Sequence, residues 1–101
     1  MLAKVDIAGE IARITLSGDL DFSTQKNLSE AIELALSSPA AKEIQVDMAG
    51  VTFIDSSVIR ALLMLQERSS KNNKSLSLWN CNKQIRDTFM IGGFDQMFVI
   101  Q

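Results

Sequence analysis

Histidine is absent from this chain of 101 residues, and cysteine occurs once, at Cys81. Without histidine, a Ser-His-Asp triad cannot form, and zinc sites built from Cys and His are excluded as well. A single cysteine cannot form an internal disulfide, which suits a reducing compartment, so we expect a cytoplasmic protein. We predict neither catalytic residues nor a metal site, and we expect Cys81 to be a small core residue.

Other signals are missing too. The chain has no Walker-type loop and no G-x-G-x-x-G, so an enzyme or nucleotide binder is disfavoured and no cofactor is predicted. Its net charge of −2 and pI of about 5.0 lack the basic footprint of a nucleic-acid binder. No stretch approaches the roughly 18 apolar residues of a membrane helix, and no signal peptide is recognisable. Nucleic-acid binding and direct membrane insertion are therefore not expected.

What is present is a regular alternation of strands and helices. At 47% hydrophobic, the chain can build one core, and we predict a single domain over residues 1–101. Residues 4–8 and 11–17 alternate apolar and polar positions around Gly9-Glu10, which predicts a hairpin. The remaining pattern predicts helices at 23–37, 56–71 and 83–91, and strands at 43–47, 75–79 and 97–100. Such βαβ order predicts a mixed sheet with helices packed on it.

Three further expectations concern local structure. The apolar run at 51–54 is predicted to be a buried strand or the extension of one, and residues 48–50 are predicted to connect it to the strand at 43–47. Apart from Arg60, residues 58–65 are all apolar, so the second helix should be buried on most sides. Gly92 is expected to be the C′ residue of the third helix, the position just beyond the C-cap, where glycine is common.

Asp55, Ser56 and Ser57 stand where the apolar run ends and the second helix begins. One interpretation is structural, because Asp and Ser are common helix caps. The other is functional, since a hydroxyl in a first turn is accessible to a kinase, and phosphate adds roughly −1.5 to −2 charges. The helix N-terminus would favour that anion by about 0.3–1 kcal/mol, whereas Asp55 and a nearby Asp21 would repel it. The two interpretations are compatible, and together they suit a switch in partner binding.

Three segments, in this order and spacing, resemble a known family: Gly18-Asp19-Leu20-Asp21, Val51-Thr52-Phe53-Ile54-Asp55-Ser56-Ser57 and Phe89-Met90-Ile91-Gly92-Gly93-Phe94. The first segment is similar to the G-(D/E)-L-D element of STAS domains, the bacterial anti-sigma factor antagonists. The next segment resembles their phosphorylation segment, and the last resembles their closing helix and glycine turn. The resemblance implies an α/β fold with a central mixed β-sheet and α-helices packed on one side.

The resemblance also implies a function. In such proteins the unphosphorylated form binds a GHKL-type serine kinase or anti-sigma-like regulator, phosphorylation ends binding, and a PP2C-type phosphatase restores it. Carried onto this chain, the phosphoacceptor is Ser56. Asp55 would shape and cap the site, Asp21 would lie beside it, and Ser57 and Thr24 would have supporting roles. Family membership further implies a monomer in the free state.

One position departs from the pattern, and one alternative stays open. Val58 stands where the family commonly has glycine, which adds bulk near the hydroxyl and could alter which kinase fits. The length and the polar loop also resemble the SypA-type biofilm regulators of this family. The alternative is a constitutive scaffold subunit, as in MlaB-like subunits of lipid transporters, in which Ser56 is only part of a helix cap.

Overall fold

The computed structural model describes residues 3–101, so Met1 and Leu2 of the predicted domain lie outside it. Its strands are β1 (Ala3–Ala8), β2 (Ile11–Leu20), β3 (Glu43–Ile54), β4 (Ser75–Trp79) and β5 (Val99–Ile100). Its α-helices are α1 (Gln25–Ser37), α2 (Ser56–Lys71) and α3 (Lys83–Ile91). Short 3₁₀ turns at Phe22–Thr24 and Asp95–Met97 precede α1 and β5. The predicted bounds of α2, β4 and α3 are confirmed.

The five strands of residues 3–101 form one sheet in the order β1-β2-β3-β4-β5. The hairpin pair β1–β2 is antiparallel, and every later pair is parallel. Each crossover therefore adds a strand on the same side of the previous one. Because such crossovers are right-handed, the helices they contain come to lie on one face. The predicted mixed sheet with helices packed on one side is confirmed.

The core lies between this face and the helices. Alternate residues of the strands point into it, as their side-chain period of two requires. These residues are at most 5% exposed: Ala12, Ile14, Leu16, Ile44, Val46, Met48, Leu76 and Leu78. On the opposite face, Arg13 pairs with Asp47 across β2 and β3 at 3.1 Å and lies 5.9 Å from the Trp79 ring centroid. The hydrophobic pattern thus decides which face the helices cover.

Strand β2 is longer than predicted, and β3 joins the two predicted segments at 43–47 and 51–54 into one strand. β2 continues past Ser17 to Leu20, and β3 runs without interruption through the segment at 48–50, so the prediction of a connector there is wrong. The pairing shifts from Thr15↔Asp47 to Ser17↔Gly50, and again from Gly18↔Val51 to Asp19↔Phe53. Two bulge-type irregularities therefore absorb two extra residues of β3. Gly50 fits this close approach, since a Cβ there would come within 3.0 Å of the Ser17 Cβ. The extension brings both strands to a common end.

The helices pack through one face each. In α1 a single stripe is buried, formed by Leu28, Ala31, Ile32, Ala35 and Leu36. In α2 the buried side chains include Val58, Leu62 and Leu65, but Met64 is 56% exposed. The expectation that α2 is buried on most sides is therefore wrong. Only one stripe of a surface helix can face the sheet, so an apolar side chain outside that stripe, such as Met64, is left largely exposed.

The glycine turn after α3 comes one residue later than expected. Gly92 is the C-cap with φ −79°, and Gly93 is the left-handed residue that follows, with φ +76°. The Phe94 N–H donates to the Phe89 carbonyl at 2.8 Å, and the Gly93 N–H donates to the Met90 carbonyl at 3.1 Å. This pair of bonds is the Schellman arrangement. It turns the chain so that Phe94 packs back against the core.

Phe89 offers a direct test of this packing. Its side chain is fully buried and lies 5.5 Å from the Phe98 ring, between centroids. We expect Phe89→Ala to lower the free energy of unfolding by about 3–5 kcal/mol, because it leaves a cavity in the core. Met90→Ala is the matched control, since Met90 is 62% exposed and its loss should change stability by roughly 0.5 kcal/mol or less. Equal midpoints for the two variants in urea unfolding would contradict this assignment.

Candidate functional site

The candidate site lies where β2 and β3 end side by side. Leu20 pairs with Ile54 at the last position of both parallel strands. Asp21 and Asp55 are the next residues of the two chain segments, and each begins a helical turn. The carboxyl ends of parallel strands are a common place for functional residues, because loops and helix N-termini gather there.

Asp55 is the N-cap of α2. Its Oδ1 accepts hydrogen bonds from the Ser57 N–H at 2.9 Å and the Val58 N–H at 3.1 Å, and also from the Ser57 hydroxyl. These N–H groups have no partner inside the helix, so a carboxylate satisfies them and complements the helix dipole. The cap interpretation of Asp55 thus describes the observed geometry.

Asp55 also ties α2 to the end of β2. Its N–H donates to the Leu20 carbonyl at 3.2 Å, and its Oδ2 accepts from the Phe22 N–H at 3.2 Å. Leu20 and Phe22 are the neighbours of Asp21 in the chain, so Asp21 is held directly beside Asp55. The structure therefore brings together the two acidic residues that the sequence placed at this site.

These bonds lower the pKa of the Asp55 carboxyl below its ordinary value. The hydrogen bond from the Ser57 hydroxyl contributes most, and the N–H groups of Val58, Ser57 and Phe22 add to it, against an opposing effect of burial. All of these donors favour the ionised form, since each donates to the carboxylate. Asp55 therefore presents a permanent negative charge at neutral pH.

Asp21 and Thr24 form a second, reciprocal cap. Asp21 Oδ1 accepts from the Ser23 N–H at 2.9 Å, and the Asp21 N–H donates to Thr24 Oγ1 at 3.2 Å. The Thr24 hydroxyl in turn donates to the Asp21 carbonyl at 2.8 Å. The Thr24 side chain is only 9% exposed and makes no hydrogen bond to Asp55 or Ser56. Thr24 thus fixes the turn that carries Asp21 rather than lying at the site surface.

The two serines differ sharply in their surroundings. Ser56, the first residue of α2, is exposed, and within residues 3–101 its hydroxyl makes no hydrogen bond. Ser57 is half-buried, donates to Asp55 and accepts from Gln25 Nε2 at 3.2 Å. Val58, which departs from the family pattern, is fully buried, so its bulk falls in the core and not beside the Ser56 hydroxyl. Of the two hydroxyls, only that of Ser56 is both accessible and unengaged.

A groove between α1 and α2 opens next to Ser57. It has a volume of about 220 Å³. Its lining includes the apolar side chains Phe22, Ile32, Ala61, Met64 and Leu65, and the polar side chains Gln25, Ser57, Arg60 and Arg68. The groove was not predicted from the sequence. One sequence pattern could have predicted it. Residues 57, 60, 61, 64 and 68 of α2 recur at spacings of three and four and form a second stripe, which faces α1 rather than the sheet.

The far end of the groove is closed by an ion pair. Arg68 of α2 donates to both carboxylate oxygens of Glu33 on α1, with Nη2 at 3.2 Å from Oε2. These hydrogen bonds lower the pKa of Glu33, chiefly through the guanidinium donor. The pair leaves no net charge at that end of the groove.

The described residues contain neither a metal-binding cluster nor a membrane-spanning helix. Between Ala3 and Gln101, no three Cys, Asp or Glu side chains are grouped so that they could hold a metal ion. In the same part of the chain, no helix combines the length and apolar character needed to cross a lipid bilayer.

Comparison with known proteins identifies the family. The sequence profile described as "Mlab, STAS domain" matches residues 3–101. This chain therefore belongs to the STAS domain family. A STAS-domain containing protein of Pseudomonas aeruginosa (strain UCBPP-PA14) is 30% identical over 92 residues, which cover 91% of this chain and 89% of that protein. The resemblance to STAS domains seen in the sequence is confirmed.

Solved structures share the fold. A STAS domain protein from Planctomyces limnophilus gives a TM-score of 0.87 at 14% identity, covering 99% of this chain and 89% of the other. The Bacillus cell fate determinant SpoIIAA in its phosphorylated form gives 0.75 at 20% identity, covering 98% and 90%. The unphosphorylated form of SpoIIAA, an anti-sigma factor antagonist, gives the same score and identity, covering 98% and 86%. At these identities the likeness establishes the fold alone.

Because Asp55 is ionised, we expect the free energy of unfolding to depend on this residue in a pH-dependent way. Its folded pKa is lowered, so the ionised side chain stabilises the fold above about pH 4 and loses this contribution as pH falls through the folded pKa. We expect Asp55→Asn to be less stable than the wild type at pH 7 and the difference to shrink toward pH 2, as followed by urea unfolding. Asp6→Asn, on exposed β1, is the control with the same change of charge and should show little effect. A difference for Asp55→Asn that is constant from pH 7 to pH 2 would contradict the assignment.

Proposed function

We propose that this protein is a phosphorylation-controlled binding protein of the anti-sigma factor antagonist type. Its unphosphorylated form binds a partner regulator, either a GHKL-type serine kinase or an anti-sigma-like protein. Phosphorylation of Ser56 ends that binding, and a PP2C-type phosphatase restores it. The observation that carries the proposal is the exposed, unengaged hydroxyl of Ser56, directly beside the capping carboxylate of Asp55.

The site is suited to a change of surface charge without a change of fold. Because the Ser56 hydroxyl holds no other group, its modification breaks no hydrogen bond of the helix cap. The added phosphate brings roughly −1.5 to −2 charges next to Asp55 and Asp21. A partner surface that accepts the unmodified site would then face a cluster of like charges, and such a juxtaposition costs several kcal/mol at an interface.

Proteins with the same fold suggest which process this protein would regulate. SpoIIAA, which shares the fold, is described as an anti-sigma factor antagonist and exists in unphosphorylated and phosphorylated forms. By analogy, the output of this protein would be control of transcription, or of biofilm and polysaccharide production if it acts as a SypA-type regulator. We further propose that the free protein is a cytoplasmic monomer.

A second candidate function is favoured by one specific finding. The family profile that matches the chain carries the name Mlab. In that case the protein would be a constitutive subunit of a larger assembly, such as a lipid transporter with its ATPase. The exposed face of the groove between α1 and α2 would then be a permanent contact, and Ser56 would serve only as the first residue of α2.

Phosphosite mapping separates the two candidates. The protein is isolated from its own cells at several growth stages and studied by tandem mass spectrometry. Phosphate on Ser56 that varies with growth and is absent from Ser56→Ala supports the switch. An unmodified Ser56 at every stage, together with a stoichiometric co-purifying ATPase, supports the subunit.

Variants of Ser56 predict how partner binding responds. We expect Ser56→Ala to bind the kinase or anti-sigma-like partner as tightly as the unmodified wild type. Ser56→Asp should bind at least tenfold more weakly, about 1.4 kcal/mol, because it adds a negative charge beside Asp55. Affinities are measured by titration calorimetry with the purified partner.

The matched control is Ser70→Asp, which adds the same charge at an exposed position near the other end of α2. It should leave the affinity unchanged. Equal affinities for Ser56→Ala and Ser56→Asp would refute the switch.

A further inference from the structure

Arg60 is an unpaired cation next to the candidate phosphoacceptor. It lies four residues after Ser56 on α2, is exposed and lines the groove between α1 and α2. Within residues 3–101 its guanidinium makes no ion pair or hydrogen bond. Two other arginines are engaged, Arg68 with Glu33 and Arg13 with Asp47. Arg60 is thus the groove cation that remains available for a new anion.

Helix geometry places the two residues within reach of each other. Side chains at positions i and i+4 are neighbours on a helix surface, with Cβ atoms about 5–6 Å apart. An anion that precedes a cation by four residues is the more favourable order, as it would be with Ser56 before Arg60. The planar guanidinium can also bind phosphate oxygens through two parallel hydrogen bonds.

We propose that Arg60 is the intramolecular counter-ion of phosphorylated Ser56. The pairing holds the phosphate along the side of α2 that faces the groove. This proposal rests on the proposed function, because it requires that Ser56 is the phosphorylated residue. Pairing with Arg60 would offset the repulsion from Asp55 and Asp21, whose carboxylates already accept backbone N–H groups.

The pairing changes what the groove offers to a partner. In the unmodified protein, the Arg60 guanidinium is free to bind an acidic side chain of a protein seated in the groove. In the phosphorylated protein, the same guanidinium is occupied by the phosphate. Phosphorylation would therefore add an anion to the site and withdraw a cation from the groove in one step.

The test uses the full chain with phosphoserine placed at position 56 by an expanded genetic code, so that no cellular kinase is needed. The second pKa of the phosphate, ordinarily about 6, is followed by ³¹P NMR as pH is varied. A nearby guanidinium favours the dianion and lowers this pKa. We expect Arg60→Gln to raise it by roughly 0.2–0.4, from the strength of i,i+4 pairs, and Arg60→Lys to keep part of the effect.

Arg68→Gln is the control, because it removes the same charge two turns further along α2 and should leave the phosphate pKa in place. An unchanged pKa in Arg60→Gln, or equal changes in Arg60→Gln and Arg68→Gln, would overturn the pairing. Either result would leave the proposed function intact. Failure to find phosphate on Ser56 in cells would instead refute the proposed function without altering the measured pairing.

Discussion

The Asp55 carboxylate is the interaction on which the geometry of the candidate site depends. One oxygen accepts the free N–H groups that begin α2, and the other accepts the N–H of Phe22 beyond the end of β2. The same residue therefore starts a helix and joins two strand ends. The bonds to Ser57 and Val58 are local, whereas the bond from Phe22 joins residues 33 positions apart. That long-range bond requires β2 and β3 to lie side by side. The position of Ser56 follows from this constraint.

The surroundings of Ser56 differ from those of the hydroxyls that form the helix caps. Ser57 and Thr24 have hydroxyls committed to the caps, whereas the hydroxyl of Ser56 is committed to nothing within the described chain. A modification there can alter charge while the caps persist. The neighbouring groove combines apolar side chains with the guanidinium of Arg60, which has no partner within residues 3–101. The proposed switch would act through electrostatics at a preformed surface, with no need for refolding.

Much of this arrangement was predictable, for identifiable reasons. The periodicities of 2 and 3.6 indicated the inward faces of β2, β3 and α1, because burial of apolar side chains enforces them. The bulge at residues 48–50 was not predictable, because continuing β3 through Gly50 depends on how closely Ser17 approaches from the neighbouring strand. The groove was missed for a related reason. An apolar run in one helix does not reveal which of its side chains face a second helix and which face the sheet.

By itself the sequence determined the class of fold, the segment that begins α2 and the candidate acceptor Ser56. The fold class follows from the local pattern of apolar residues, and the other two follow from short motifs in a fixed order along the chain. Only the tertiary structure decided which serine is accessible, how Asp21 comes to lie beside Asp55, and that Arg60 is left unpaired at a groove. Those facts arise from contacts between residues more than 30 positions apart, such as Gln25 with Ser57 and Glu33 with Arg68. Local patterns carry no information about such pairs, because the partners meet only when the sheet brings α1 and α2 together.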